Sequence, residues 1–102
     1  MSGLEVLPIP CLKDNYAYRL RCLTSGYTAV VDPSEAKPVL AVLDGQLDAI
    51  LNTHHHWDHT GGNTDLLQHF PSAEVFGHAS DRGRIPGQTQ FIEDGAVITV
   101  GK

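Results

Sequence analysis

Positive charge and long apolar runs are scarce in this chain, and each scarcity argues against a class of function. Seven lysines and arginines stand against twelve acidic residues among 102. The net charge of −5 argues against a protein that binds nucleic acid through an electropositive surface. No apolar run approaches the roughly 20 residues that a membrane-spanning helix needs. Glu5, Pro8 and Pro10 interrupt the first stretch, which therefore lacks the pattern of a secretory signal.

Cysteine is also scarce, since Cys11 and Cys22 are the only two in the chain. Two cysteines without close spacing do not make a disulfide framework. We therefore expect reduced thiols and a cytoplasmic protein. The hydrophobic fraction of 41% is ordinary for a globular domain, and 102 residues suffice for one domain at most.

The spacing of apolar residues predicts an α/β domain. Period-2 alternation over 16–23, turn residues at 24–26 and an apolar run over 27–31 predict a β-hairpin. Further strands are predicted at 4–9, 47–51, 73–76 and 96–100, helices around 39–43 and over 63–70, and a polar loop over 79–90. Strands that alternate with at least two crossover helices imply parallel pairing within a mixed sheet.

The most informative segment combines four of the six histidines with an aspartate: His54, His55, His56, Asp58 and His59. Neutral imidazole and carboxylate groups bind zinc and related divalent metals. A loop that bends near Asp58 can present His54 and His56 to one metal, and Asp58 and His59 to a second. Two adjacent metals can share a hydroxide that attacks an ester, thioester or amide carbonyl.

Other interpretations of the histidine cluster fit the sequence less well. A histidine tag or an adventitious surface site fits poorly, because Trp57 and Asp58 interrupt the histidines and a strand precedes them. His55 is interpreted as a side chain that does not bind metal, and Trp57 as a packing residue beside the site. His78 is interpreted as a histidine at the end of a strand.

Asp32 ends the strand that should lie next to the strand before the histidines. Sites in α/β sheets gather beyond the carboxyl ends of the strands. Asp32 is therefore either a turn former before Pro33 or a hydrogen-bond acceptor for a ligand histidine. The residues alone leave both interpretations open.

The run T-H-H-H-W-D-H-T-G-G-N, from Thr53 to Asn63, resembles the metal-binding signature of the metallo-β-lactamase superfamily. Its additional histidine and Trp57 make it similar to the glyoxalase II (hydroxyacylglutathione hydrolase) branch. Three other segments are also similar to that branch: Asp14-Asn15-Tyr16-Ala17-Tyr18, Val31-Asp32-Pro33 and Arg84-Ile85-Pro86-Gly87. The resemblance covers essentially the whole chain.

This resemblance implies a ligand set and a reaction. His54 and His56 would bind the first zinc, and Asp58 and His59 the second, with iron or manganese as alternative metals. The branch hydrolyses glutathione thioesters such as S-D-lactoylglutathione to glutathione and D-lactate. The implied nucleophile is a metal-bound hydroxide, so Asp58 would take part in catalysis as a metal ligand.

The chain departs from the branch in its extent. Members take one more histidine for each metal and a bridging aspartate from the half of the fold that follows, and they bind glutathione there and in an appended helical domain. We therefore expect residues 1–102 to form one partial domain, the amino-terminal half of an αββα sandwich. The same reasoning predicts little activity for these residues alone and self-association through an exposed sheet edge.

Other functions remain open from the sequence. A sibling metallo-hydrolase, such as a lactonase or a β-lactamase, has a related motif, but the Asp58-His59 pair disfavours a β-lactamase. A mononuclear-iron persulfide dioxygenase is disfavoured by the context of Trp57. A short, non-catalytic metal-binding or interaction module is the alternative from outside the enzymes.

Overall fold

Six strands and two short helices make up the regular structure of the described residues. The computed structural model describes residues 3–12, 15–53, 60–93, 95, 97, 98 and 100. The strands are β1 (Leu4–Cys11), β2 (Asn15–Cys22), β3 (Thr28–Val31), β4 (Ala49–Leu51), β5 (Glu74–His78) and β6 (Gln90–Ile92). The helices are α1 (Ala36–Leu40) and α2 (Asn63–His69), and a 3₁₀ turn covers Ala79–Asp81.

The strands form one mixed sheet in the order β1-β2-β3-β4-β5-β6. β1, β2 and β3 pair antiparallel, whereas β3, β4, β5 and β6 pair parallel. Helix α1 connects β3 to β4, and α2 lies between β4 and β5. This confirms the α/β class and the mixed sheet with crossover helices, as expected for the amino-terminal half of a metallo-β-lactamase-like fold.

The core lies on one face of the sheet, beneath the two helices. Alternate strand residues, among them Ala17, Val30 and Ile50, join Val39 of α1 and Leu66 of α2 in one buried apolar cluster. Burial of such side chains is the main favourable contribution to folding, about 1.5–3 kcal/mol for each large one. The core therefore fixes α1 and α2, and with them the carboxyl ends of β3 and β4.

Helix α1 begins and ends earlier than the apolar pattern over 39–43 predicted. Beyond Leu40 the backbone tightens into turns, in which the N–H groups of Val42 and Leu43 donate to carbonyls three residues earlier. The side chains of Arg19 and Arg21, from β2, donate to the carbonyl oxygens of Val42 and Leu43. These arginines satisfy acceptors that would otherwise lack a partner at a helix end.

Two predictions at the end of the chain were wrong in detail. The loop predicted over 79–90 contains the 3₁₀ turn, and β6 begins at its last residue. Within the strand predicted over 96–100, the described residues Val97, Ile98 and Val100 lie outside regular structure. Over the ranges that the structure describes, no helix has the length and apolar character needed to cross a membrane.

Candidate metal centre

Described residues on both sides of the predicted ligands, or at the ends of neighbouring strands, lie at the carboxyl edge of β3, β4 and β5. Asp32 follows β3, Asn52 and Thr53 follow β4, and His78 ends β5. The predicted ligands His54, His56, Asp58 and His59, together with His55 and Trp57, fall on 54–59, outside the described residues. Elsewhere in the chain, the described residues contain no cluster of three or more histidine, cysteine or acidic side chains suited to a metal. The ligand set therefore stays a prediction, whereas its two flanks can be described.

Asp32 fixes the residue that immediately precedes the histidine segment. Its carboxylate accepts hydrogen bonds from the backbone N–H of Thr53 at 2.7 Å and from the Thr53 hydroxyl at 2.6 Å. Its own N–H donates to the Leu51 carbonyl oxygen, which continues the pairing of β3 with β4. Asp32 is only 7% exposed and has a φ of 50°. A buried carboxylate with two donors is a strong local anchor, so Asp32 does more than end a strand.

A buried amide pair joins the two flanks of the segment. Asn63, the first residue of α2, is fully buried, and its Nδ2 donates to Asn52 Oδ1 at 2.7 Å. The same Nδ2 donates to the Pro86 carbonyl oxygen at 3.1 Å, which ties in the loop before β6. Asn52 is itself held by its N–H, which donates to the Phe76 carbonyl oxygen of β5. Asn63 therefore connects the end of β4, the start of α2 and the loop around Pro86.

Gly62 brings the carboxyl flank of the segment against the turn after β3. Its N–H donates to the Pro33 carbonyl oxygen at 2.7 Å. A Cβ at this position would lie 2.7 Å from that oxygen and 2.9 Å from the backbone nitrogen of Ala36. Only glycine permits so close an approach between two backbones. The start of α2 and the start of α1 are thus in direct contact.

His78 is the last residue of β5, and the loop that follows it continues from the same carboxyl edge. The N–H of Ser80 donates to His78 Nδ1 at 3.0 Å, so this nitrogen caps the 3₁₀ turn. Gln88 Nε2 donates to the carbonyl oxygen of His78, which holds the loop against β5. The guanidinium of Arg82 lies 3.8 Å from the ring centroid of Phe91. The geometry agrees with the interpretation of His78 as a strand-end histidine.

Tyr27 lies at the opposite edge of the sheet and has a raised pKa. Burial raises the pKa of Tyr27 above its ordinary value, with smaller contributions from the negative charges of Glu74 and Asp48. Tyr27 and Asp48 precede β3 and β4, and Glu74 begins β5. This cluster therefore belongs to the amino edge, away from the candidate centre.

The sequence places Asp32 at this edge, and Gly61 and Gly62 predict a close backbone approach at the start of a helix. The contact of Asp32 with Thr53 and the roles of Asn52 and Asn63 were missed. The partners of Gly62 and Asn63, namely Pro33, Pro86 and Asn52, are distant in sequence and could not be identified. A polar residue at the start of an apolar helix was the available signal. By itself that signal indicates a helix end and does not reveal a buried contact.

Comparisons of the sequence with known proteins find one family. The model of the metallo-β-lactamase superfamily matches residues 15–93. A hydroxyacylglutathione hydrolase of Synechococcus sp. (strain JA-2-3B'a(2-13)) is 50% identical over 98 residues, which cover 93% of this chain and 39% of that protein. Proteins of the same name from Trichormus variabilis and from Cyanothece sp. are 50% and 52% identical over 95 residues, 90% of this chain and 37% of each. The chain therefore spans about two fifths of the length of these curated relatives.

Proposed function

The chain belongs to the metallo-β-lactamase superfamily, and from this premise we propose that it forms the metal-binding part of a zinc-dependent hydroxyacylglutathione hydrolase. The reaction would be hydrolysis of a glutathione thioester such as S-D-lactoylglutathione to glutathione and D-lactate. The structural observation that carries the proposal is the anchoring of both flanks of segment 54–59, by Asp32 on one side and by Asn63 and Gly62 on the other. The identity to relatives of that name supports the choice of substrate.

The residues present fit a zinc-type divalent ion. Three imidazoles and one carboxylate, from His54, His56, His59 and Asp58, are the donors that such ions prefer. The flanks add a buried carboxylate at Asp32, and outer hydrogen-bond partners of this kind orient the ligands of metal sites. A metal bound here would polarise the thioester carbonyl and activate water at neutral pH.

The role of the described residues is to hold this segment in place. Asp32 fixes the backbone and the hydroxyl of Thr53, next to His54. Gly62 and Asn63 fix the chain that follows His59. Because a metal site needs its donors in a set geometry, anchoring both flanks lowers the conformational entropy that the segment loses when it binds the ion.

Replacing one histidine at a time tests the ligand set. We expect His56→Ala to abolish stoichiometric zinc binding, whereas His55→Ala, at the neighbouring position, leaves zinc binding intact. The measurement, made on the protein that contains these residues, is zinc per chain by elemental analysis after dialysis, with zinc affinity from competition against a coloured chelator. Equal loss of zinc in His56→Ala and His55→Ala, or equal retention of zinc, would overturn the assignment of His56 as a ligand.

The metal and the reaction need separate measurements. We expect zinc to be the bound metal. We also expect the protein that contains these residues to release thiol from S-D-lactoylglutathione. Iron as the native metal, with oxygen consumption on a glutathione persulfide, would instead establish the dioxygenase alternative. We expect residues 1–102 by themselves to bind zinc weakly and to show negligible thioester hydrolysis.

Two further properties belong to the same proposal. A cytoplasmic location is supported by the scarcity of cysteine and by the buried thiol of Cys11, which forms no disulfide among the described residues, because thiols stay reduced in that compartment. Self-association of residues 1–102 is supported by exposed apolar side chains on β1 and β2, among them Val6 and Tyr16. Cell fractionation measures the location, and sedimentation measures the self-association.

A further inference from the structure

The buried amide of Asn63 connects three segments of the candidate centre. Its Nδ2 donates to Asn52 Oδ1 at 2.7 Å and to the Pro86 carbonyl oxygen at 3.1 Å. Within the described part of the chain, Asn63 Oδ1 is a buried oxygen without a hydrogen-bond partner. Because this amide is buried, loss of an acceptor for Nδ2 would leave a buried polar group unsatisfied, which is costly.

Two of the three connected segments adjoin residues 54–59 in sequence. Asn52 lies two residues before His54, and Asn63 lies four residues after His59. The bond between their side chains therefore sets the separation of the two flanks of segment 54–59. The bond to Pro86 extends the same connection to the loop that packs on α2, where a Cβ on Gly87 would lie 2.3 Å from Leu67 Cδ1.

We propose that Asn63 is a positioning residue for the metal centre: its amide donor clamps the two flanks of segment 54–59 and thereby sets metal affinity and coordination geometry. This inference rests on the proposed function, because it requires the segment to bind a metal. Asn63 acts through Asn52 and the backbone, and is not itself a ligand. Its contribution is preorganisation, since a segment with both flanks fixed has less freedom to lose on binding.

The substitution Asn63→Asp separates positioning from electrostatics. The aspartate has nearly the shape of asparagine, but it replaces the donor with an oxygen that faces two other oxygens, Asn52 Oδ1 and the Pro86 carbonyl. A negative charge close to a cation site should by itself favour metal binding. Positioning predicts the opposite, a loss of zinc affinity of about 10- to 100-fold, as for other outer partners of metal ligands.

The control is Val39→Ala, which weakens the core in α1. Val39 is fully buried in the same apolar cluster and forms no part of the two flanks. We expect this variant to lose stability but to keep wild-type zinc affinity. Zinc affinity would be measured by chelator competition at a temperature where denaturation curves show each variant folded.

The absorption spectrum of bound cobalt is a measurement that a change in stability alone does not alter. The visible absorption of bound Co²⁺ depends on the number and arrangement of its ligands, so Asn63→Asp should change the band shape and Val39→Ala should preserve it. Asn63→Ser, which lacks the opposed carboxylate, provides a milder variant if Asn63→Asp does not fold. Asn63→Ser should show a smaller loss of zinc affinity and a smaller change in the cobalt band shape than Asn63→Asp.

The outcomes separate the inference from the function on which it rests. Wild-type affinity and an unchanged cobalt spectrum in a folded Asn63 variant would overturn the positioning role and leave the proposed function standing. Equal losses in Asn63→Asp and Val39→Ala would also overturn it, by assigning the effect to stability. Absence of zinc and cobalt binding in the wild-type protein that contains residues 1–102 together with the rest of its chain would overturn the proposed function itself.

Discussion

At the scale of single residues, Asp32 and Asp44 share an unusual backbone but differ in surroundings. Their φ angles are 50° and 54°, in the left-handed region that asparagine and aspartate tolerate better than most residues. Asp32 is buried and holds Thr53, whereas the side chain of Asp44 is 72% exposed and pairs with Arg21 at 3.0 Å. The two aspartates therefore form a matched pair for testing what the buried carboxylate contributes.

We expect Asp32→Asn to lower zinc affinity by about 10- to 100-fold, because an amide accepts the two Thr53 donors less well than a carboxylate does. Asp44→Asn should leave zinc affinity unchanged and cost at most about 1 kcal/mol of stability, since exposed ion pairs contribute little. Chelator competition and urea denaturation measure the two quantities. Similar affinities in Asp32→Asn and Asp44→Asn would show that the Thr53 anchor has no influence on the metal.

Tyr27 gives a prediction about alkaline pH. Because its folded-state pKa is raised above 10.0, the folded protein keeps the phenol proton at pH values where the unfolded chain has lost it. The stabilisation is complete below pH 10 and is lost as the pH rises through the folded-state pKa. We expect the urea midpoint of the wild type to fall more steeply above pH 10 than that of Tyr27→Phe. Parallel curves for the two proteins would contradict the shift.

At the scale of secondary-structure elements, local sequence patterns predicted the strands better than they predicted the contacts between distant residues. The alternation over 16–23 and the apolar run over 27–31 identified β2 and β3, because a half-buried strand leaves a period-2 pattern. Strand β6 was missed, since Gln90, Phe91 and Ile92 adjoin a polar, glycine-rich loop and pair with β5 only in the folded sheet. For the centre, Asp32 could be identified from its place after a strand. The glycine pair 61–62 predicts a close backbone approach, but no local pattern indicates that Pro33 is its partner or that Asn63 contacts Pro86.

The contact between the starts of α1 and α2 makes Gly62 sensitive to one methyl group. Its φ of −92° is accessible to alanine, so the expected effect of Gly62→Ala is steric. The neighbours of the new Cβ are backbone atoms of Pro33, Glu35 and Ala36, which cannot move aside as a flexible side chain can. We expect a loss of about 1–3 kcal/mol in the free energy of unfolding.

Gly3→Ala is the matched control, because its Cβ would meet Leu23 Cδ1 at an ordinary 3.4 Å. The free energy of unfolding of this variant should stay within about 0.5 kcal/mol of wild type. Chemical denaturation of both variants, with and without zinc, measures the difference. Equal stabilities would show that α1 and α2 can separate without cost.

At the scale of the whole molecule, the two faces of the sheet differ in what covers them. Tyr18, Val31, Leu51 and Phe76 lie opposite one another across β2 to β5, on the face away from the helical core. On β1 and β2 the apolar surface is most open, with Val6 54%, Tyr16 55% and Tyr18 40% exposed. Apolar surface of this kind is typical of interfaces. The outer edge of β1 is less suited to pairing, since Pro8 and Pro10 have no N–H to donate.

We therefore expect residues 1–102 to self-associate through this open face of β1 and β2 rather than through the β1 edge. Val6→Lys combined with Tyr18→Lys places two charges on the face and should shift the species toward monomer. Leu23→Lys is the control, because Leu23 is 61% exposed but lies in the turn after β2. Sedimentation velocity over a range of concentrations gives the distribution of species. Association driven by burial of apolar area must weaken when charge is placed within that area. A monomeric wild type, or an equal shift toward monomer in Leu23→Lys, would therefore show that the open face is not an association surface.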